Sequence, residues 1–471
     1  MRVLFITPPY SIEERYGTKM QIKKGFLPPL GLASIATVLK EQEHVVRILD
    51  LPVYDYTLDD ISKYISAFNP ELIAFAAITP TIDKAYIIAT AVKPYTTATI
   101  VFGGLHPSLY PEETLKQCPA VDLVCIGEGE YTFLELTDKL EKQQSITDIP
   151  GICYRDGTLI RRTSPRPIIK DLNDLPIPSR EFFEMDRYIP LPNQYKAIPV
   201  TNMMTARGCP YNKCTFCFEA GDHKPVFRRV SAQRAVEEVR MLVDSYKIKE
   251  ISFWDDVFIV GQSWMKEFTD GLKKEKIDIL YSCYGYFPYT THDILKLAKE
   301  SGCWNIFYGV EAGNQQLLDI IKKGFTKEQA RKVIQWTHEL GIETRGSFIL
   351  GLPGETPALA KETVDFAIEL DLDYAQFTLN TPFPSTEMWK SGSQYGTLDT
   401  NYDQYSVHNP VYLPKGYKSK EELLKMQKYA YRKFYLRPGF AWKHLRRIHN
   451  YQDIQKYAAG FKFLLGMTAK K

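Results

Sequence analysis

Short, uninterrupted apolar runs alternate with amphipathic stretches along most of this chain. Residues 3–7, 45–49, 72–78, 99–102 and 123–126 are apolar runs of strand length. A run without apolar–polar alternation suits a parallel strand buried on both faces. Between them, residues 31–40, 58–68, 83–93 and a stretch ending near 142 space their apolar positions to bury one helical face. This alternation predicts a doubly wound, Rossmann-like α/β domain over residues 1–145. In such a sheet ligands lie beyond the carboxyl ends of the strands. There the chain carries Thr79, a loop with Gly103, Gly104 and His106, and the run Gly127, Glu128, Gly129, Glu130. One glycine loop would be a tight turn. Two on the same sheet edge predict a crevice where backbone approaches a large ligand.

Residues 146–195 lose the alternation. A small hairpin is expected around Asp156-Gly157, followed by a proline-rich stretch without period, and the whole reads as a connector. From about residue 196 the alternation restarts, with strands expected at 199–205, 250–254, 280–284, 305–309, 344–350 and 374–379 and helices between them. Six strand–helix repeats through residue 392 predict a complete or partial TIM-type barrel, whose active site lies at the carboxyl rim. Residues 393–471 break the repeat. A helix at 420–435 and an apolar-aromatic segment at 457–465 predict a mainly helical cap.

Composition narrows the class. Of 471 residues 44% are apolar and 24% charged, the balance of a soluble globular protein of two or three domains. No run reaches the roughly 18–20 apolar residues of a membrane span, and the opening apolar run is too short for a signal peptide. Eight cysteines without disulfide-like spacing point to a reducing compartment, the cytoplasm. The net charge of +3 is uneven: residues 432–471 hold ten Lys or Arg and one acidic residue, Asp453, so they carry +9 against −6 elsewhere. This basic, aromatic tail is read as a contact for an anionic membrane surface or substrate, or as a solvated helical face. Basic residues gathered in a tail, not interleaved over a surface, argue against nucleic acid.

The chemistry concentrates in residues 207–221, RGCPYNKCTFCFEAG, where Cys209, Cys214 and Cys217 fall within nine positions. Thiols grouped so tightly are metal ligands more often than packing residues. Structural zinc takes four side chains, and ordinary iron–sulfur clusters take four cysteines. Three leave one metal position open. A structural zinc protein would need a further ligand, with His223 nearest in sequence. The other five cysteines, Cys118, Cys125, Cys153, Cys283 and Cys303, read as buried small hydrophobes.

The loop resembles the signature of the radical S-adenosylmethionine (SAM) enzymes, Cys-x3-Cys-x2-Cys with an aromatic before the third cysteine, here Phe216. The first gap holds four residues, Pro210 to Lys213, one more than usual, and the extra residue is expected to bulge. WDDVF, YGVEAGNQQLL and GSFILGLPGET extend the resemblance, and residues 1–145 are similar to the cobalamin-binding domain fused ahead of the barrel in one subfamily. The Asp-x-His-x-x-Gly motif that supplies a histidine to cobalt is absent, as it often is there. The resemblance implies a 4Fe-4S cluster on the three cysteines, SAM and cobalamin. Phe216, Asp255, Glu311 and Arg345 are the implied SAM contacts. Thr79, Gly103, Gly104, His106 and Gly127 to Glu130 are the implied cobalamin contacts, His106 being either a cobalt ligand or a loop-shaping residue. The implied reaction is cleavage of SAM to a 5′-deoxyadenosyl radical and methylation of an unactivated carbon. The alternative is a radical oxidative cyclase or ring-forming enzyme acting on a tetrapyrrole or membrane lipid. Implied partners are a reductant such as flavodoxin or ferredoxin and a large hydrophobic or lipid-like substrate, with peripheral contact at the inner membrane face through the tail.

Overall fold

The computed structural model describes residues 1–16, 25–218 and 226–445. The end of the cysteine loop, His223, the tail beyond 445 and the segment 457–465 lie outside the described residues. Contacts divide the chain into two units, Met1–Ser11 with Phe26–Tyr188, and Ile12–Gly25 with Ile189–Lys471.

The apolar runs of the first unit become β1 (Arg2–Thr7), β2 (Val45–Asp50), β3 (Leu72–Ala76), β4 (Thr99–Gly103) and β5 (Leu123–Cys125). They form a parallel sheet in the order β2-β1-β3-β4-β5. The order reverses between β1 and β3, the switch point where such sheets bind ligands. Helices cover both faces. The helix Leu58–Phe68 shows why its boundaries fall where they do: Thr57 and Asp60 form a reciprocal capping box, and Asn69 closes the other end in the left-handed region.

The hairpin expected inside the connector belongs to this sheet. Its strands, β6 (Ile152–Asp156) and β7 (Leu159–Arg162), add antiparallel beyond β5, with Cys153 opposite Val124. Ile152 and Cys153 are fully buried, so the hairpin covers an apolar edge that β5 would otherwise leave open. The new edge ends in Arg161 and Arg162, a charged border of the kind that blocks further strand addition.

The second unit holds six parallel strands in chain order: β8 (Val200–Met203), β9 (Glu250–Phe253), β10 (Leu280–Gly285), β11 (Cys303–Glu311), β12 (Glu343–Leu350) and β13 (Tyr374–Leu379). Along β12 Thr344, Gly346, Phe348 and Leu350 are buried, whereas Glu343, Arg345, Ser347 and Ile349 are partly accessible. Phe348 stacks on Phe377, which meets Tyr431 of the C-terminal helix. The buried set therefore faces the helices and the accessible set faces the lumen. The amino-terminal end of the barrel is plugged. Glu250 accepts the N–H groups of Lys196 and Ala197 at 2.6 and 2.7 Å and the Trp304 indole at 2.9 Å, and Lys196 pairs with Glu343 at 2.8 Å.

A six-stranded barrel leaves a free edge, here on β13. The helix expected over residues 420–435 forms as Lys420–Tyr435 and lies along this edge. Gln427 donates to the Phe377 carbonyl at 2.9 Å, the Phe377 N–H donates to the Tyr431 hydroxyl at 3.2 Å, and Tyr435 bonds both backbone groups of Ala375. Residues four apart on one helix face thus stand in for a seventh strand. No helix among the described residues is long and apolar enough to cross a membrane.

Candidate functional site

The cysteine loop leaves the carboxyl end of β8 and is closed at its base by a two-residue ribbon, Ala206–Arg207 against Arg228–Arg229. The extra residue of the first gap is absorbed at Asn212, which takes a left-handed turn with φ 50°, as asparagine tolerates. The loop is then tied to its surroundings. The Tyr211 hydroxyl donates to the Lys322 carbonyl at 2.7 Å, Tyr289 donates to the Pro210 carbonyl at 3.2 Å, and the Thr215 N–H donates to Ile321 at 3.1 Å. Residue 324 must be glycine twice over: its φ is +72°, and a Cβ there would collide with the Tyr211 hydroxyl.

One charged pair stands beside the thiols. Glu311, at the carboxyl end of β11, is buried and adopts a left-handed φ of 66° where the register with β12 shifts. Strain of that kind at a strand end marks a functional position more often than a structural one. Its Oε1 lies 2.8 Å from Nζ of Lys323, also buried, and a Cβ at Gly309 would strike both groups. The Lys323 ammonium lies 5.5 Å over the Phe216 ring. Burial works against its charge, but Glu311 and the thiols of Cys214 and Cys217 outweigh burial and raise its pKa. Burial in turn pushes the Cys214 thiol up to about 11, with Lys323 pulling it back. It also raises Cys209, and the backbone N–H groups of Asn212 and Tyr211 oppose that rise by donating to the sulfur.

These residues fit an iron–sulfur cluster. Thiolates in a half-buried loop need N–H donors and a nearby positive charge to remain anionic, and both are present. Among the described residues no three His, Cys, Asp or Glu side chains converge on one metal ion. A cubane asks for no such convergence, because each thiolate binds a different iron.

The other implied SAM contacts lie elsewhere. Asp255 is buried behind the loop with both oxygens engaged: Oδ1 accepts the N–H groups of Thr205 and Ala206 at 2.6 and 3.1 Å, and Oδ2 accepts the Thr205 hydroxyl. Arg229 stands 3.8 Å away, stacked 3.4 Å over Trp264. Asp255 therefore shapes the entry to the cysteine loop, each of its oxygens already taken up by protein donors. Its neighbour Asp256 is exposed, and its carboxyl is raised to about 6 by desolvation first and Asp255 second. Arg345 lies deeper in the lumen. Glu311 pairs with Phe348, three residues beyond Arg345 on β12.

In the first unit Thr79 and His106 meet. His106 is buried, its Nδ1 is 3.2 Å from the Thr79 hydroxyl, and its ring packs on Tyr110. The imidazole pins the loops after β3 and β4 to each other, which is the loop-shaping role. Gly104 follows with φ +93°, where a Cβ would meet the Ala77 backbone at 2.7 Å. Gly103 ends β4, and the Gly127 N–H bonds Ser108 at 3.0 Å. The remaining positions turn inward. Glu128 accepts the Ile169 N–H at 2.8 Å, Gly129 packs against Ile35, and buried Glu130 accepts the Ser34 hydroxyl at 2.7 Å. Gly104 and Gly127 are thus exposed at the strand ends and Gly103 partly so, Thr79 is buried, and Glu128, Gly129 and Glu130 serve packing.

Lys323 and the tyrosines that tie down the loop were missed in the sequence. Lys323 sits in an unremarkable Lys-Lys-Gly stretch, and nothing local sets it apart from Lys322.

Comparison with known proteins agrees with this geometry. The B12 binding domain family matches residues 23–137, and the radical SAM superfamily matches residues 203–367. The chain is 35% identical to an uncharacterized methyltransferase of Pyrococcus horikoshii over 96% of both chains. It is 28% identical to the anaerobic magnesium-protoporphyrin IX monomethyl ester cyclase of Rubrivivax gelatinosus, over 93% of this chain and 78% of the cyclase. Among solved structures, the radical S-adenosylmethionine methyltransferase TsrM of Kitasatospora setae, with tryptophan and a SAM analog bound, shares the fold. Its TM-score is 0.71 at 19% identity, covering 90% of this chain and 82% of its own.

Proposed function

The chain belongs to the radical SAM superfamily, in the group that carries a B12 binding domain, and from that premise we propose that it is a cobalamin-dependent C-methyltransferase. The observation that carries the reading is the cysteine loop with the Lys323–Glu311 pair beside it. When bound, the cluster supplies reductive cleavage of SAM to methionine and a 5′-deoxyadenosyl radical, and cobalamin supplies the methyl group. Cys209, Cys214 and Cys217 would hold the cluster, and Lys323 supports their anionic form. Lys323 and Glu311 offer opposite charges for the carboxylate and amine of SAM, and Phe216 offers a ring face. In the first unit Gly103, Gly104 and Gly127 would offer backbone to cobalamin, with Thr79 holding their loop through His106.

The test is anaerobic reconstitution with iron, sulfide and hydroxocobalamin, read by absorbance, followed by reduction with SAM labelled in its methyl group. Both cofactor bands and formation of 5′-deoxyadenosine are expected. A colourless protein holding one zinc would overturn the reading. Replacing the three loop cysteines by Ala should abolish SAM cleavage, whereas Cys283→Ala, in the core, should retain it.

The similarity to the cyclase keeps a second reading, oxidative ring closure without methyl transfer. Label remaining in the SAM methyl group or methionine while a substrate is consumed would favour it. Flavodoxin or ferredoxin is the expected reductant. A lipid-like substrate and peripheral membrane contact rest on the basic tail. Of its described cations, Lys433 pairs with Asp365, and Arg437 and Lys443 pair with Asp371. Arg432 is exposed, and the other cations of the tail lie in the sequence beyond residue 445. Sedimentation with anionic vesicles, with and without residues 446–471, tests it.

A further inference from the structure

The inward-facing side chains of the barrel fall into layers, and one layer differs from the rest. Register places Tyr284 opposite Phe307, Phe307 opposite Arg345, and Arg345 opposite Tyr374. Two positions beyond the Ser252–Ser282 pair, Trp254 shares the level of Tyr284. Met204 follows from the adjoining Phe253–Met203 pair. The layer below is polar, with Asn202, Ser252, Ser282 and Asn305. This one is aromatic with a single cation.

Tyr284, Phe307 and Arg345 pack against one another, and the layer is not sealed. The Tyr284 and Phe307 rings meet at 84° with centroids 5.3 Å apart, and the Arg345 guanidinium lies 5.0 Å over Phe307. Tyr284 is 36% and Met204 42% exposed, while Trp254, Phe307, Arg345 and Tyr374 are half-buried. Large apolar groups accessible on the inside of a barrel form a binding surface, because the outer face of the same strands is already covered by helices. Arg345 has no hydrogen-bond or ion-pair partner among the described residues. A partly desolvated guanidinium without a carboxylate is poised for an anionic ligand, which it binds through two parallel hydrogen bonds.

We infer that this layer is the floor of the substrate pocket and that it takes an organic anion. A flat or apolar body rests on Trp254, Tyr284 and Phe307, and a carboxylate or phosphoryl group pairs with Arg345. The inference rests on the radical SAM reading only for where SAM sits. SAM's amino-acid end belongs at the cluster, beside Lys323 and Glu311. Arg345 is three residues below the level of Glu311, about 10 Å at the rise of a strand. The charge at Arg345 is therefore left for a different molecule.

The test uses the reconstituted full-length protein and two dyes of similar shape, anionic anilinonaphthalene sulfonate and neutral N-phenylnaphthylamine, with affinities measured by equilibrium dialysis. Arg345→Gln should weaken the anionic dye about tenfold, roughly 1.4 kcal/mol, and leave the neutral dye within about twofold. Arg345→Lys should recover part of the loss, and Tyr284→Ala should weaken both dyes. SAM affinity of Arg345→Gln, measured in parallel, should stay near wild type. Equal loss of both dyes in Arg345→Gln, or no loss of the anionic one, overturns the inference. So does a parallel loss of SAM affinity, which would make Arg345 a SAM contact. Failure of the wild type to cleave SAM would instead overturn the proposed function, and the dye result would stand apart from it.

Discussion

Nζ of Lys323 lies 2.8 Å from Oε1 of Glu311, and both side chains are buried at the carboxyl rim of the barrel. A buried pair adds little net stability, but removing one partner strands the other's charge and costs about 3–5 kcal/mol. Lys323→Met should therefore destabilise the second unit by roughly that amount, and Glu311→Leu should do the same. The double replacement should cost much less than their sum. A double-mutant cycle by urea denaturation measures this coupling. Additive losses would show that the two charges act independently.

Asp255 connects the end of β8 to Arg229, so its removal acts on the cysteine loop from behind. Asp255→Ala frees two buried backbone donors, those of Thr205 and Ala206, and leaves Arg229 without its nearest anion. Each unsatisfied donor costs about 1–3 kcal/mol. Iron bound after reconstitution should fall well below that of wild type. Asp255→Asn keeps one acceptor oxygen and should retain more iron. Equal iron in wild type and Asp255→Ala would show that the loop holds its shape without this support.

The adjacent pair Asp255 and Asp256 shows how far the sequence could be read. Apolar runs, amphipathic spacing and three clustered cysteines made both sheets, the six-strand repeat and the metal loop legible, because each depends on local pattern alone. Which face a strand-end residue takes depends on register, and moving one residue exchanges lumen for core. Asp255 was expected to meet SAM, and its oxygens take the Thr205 and Ala206 groups at the base of the loop, while Asp256 beside it is exposed. Glu128 and Glu130 became packing residues for a different reason: they lie in the turn after β5 and at the start of the next helix, where strand alternation no longer applies. Arg345 kept its lumen side, at a level three residues short of the one Glu311 shares with Phe348. Lys323 was illegible for another reason: its significance comes entirely from Glu311, Cys214 and Cys217, which other segments bring to it.

The helix on the free edge of β13 makes a separate expectation. Tyr435 supplies one hydroxyl to both the N–H and the carbonyl of Ala375, at 3.1 and 2.7 Å. Tyr435→Phe keeps the ring and deletes only the hydroxyl, leaving two backbone groups on a covered edge without a partner. The expected loss is about 1–3 kcal/mol. Faster exchange of the Ala375 amide hydrogen should accompany it. An unchanged exchange rate would mean that water takes the place of the hydroxyl.

The loops after β3 and β4 offer a pH test. Burial lowers the pKa of His106 from 6.5 to about 4 in the folded protein, so between those values the unfolded chain binds a proton that the native state refuses. Stability then falls as pH drops through that window and is insensitive to this group above it. Going from pH 7 to pH 5, the contribution is about 2 kcal/mol. His106→Gln can keep a hydrogen bond to Thr79 without titrating. Wild type should lose about 2 kcal/mol more than this variant over the same interval, the background of titrating carboxylates being common to both. Denaturant unfolding of the first unit at the two pH values measures the difference. Equal losses in the two proteins would mean that His106 takes up its proton in the folded state, and that the pocket formed with Thr79 and Tyr110 opens to water.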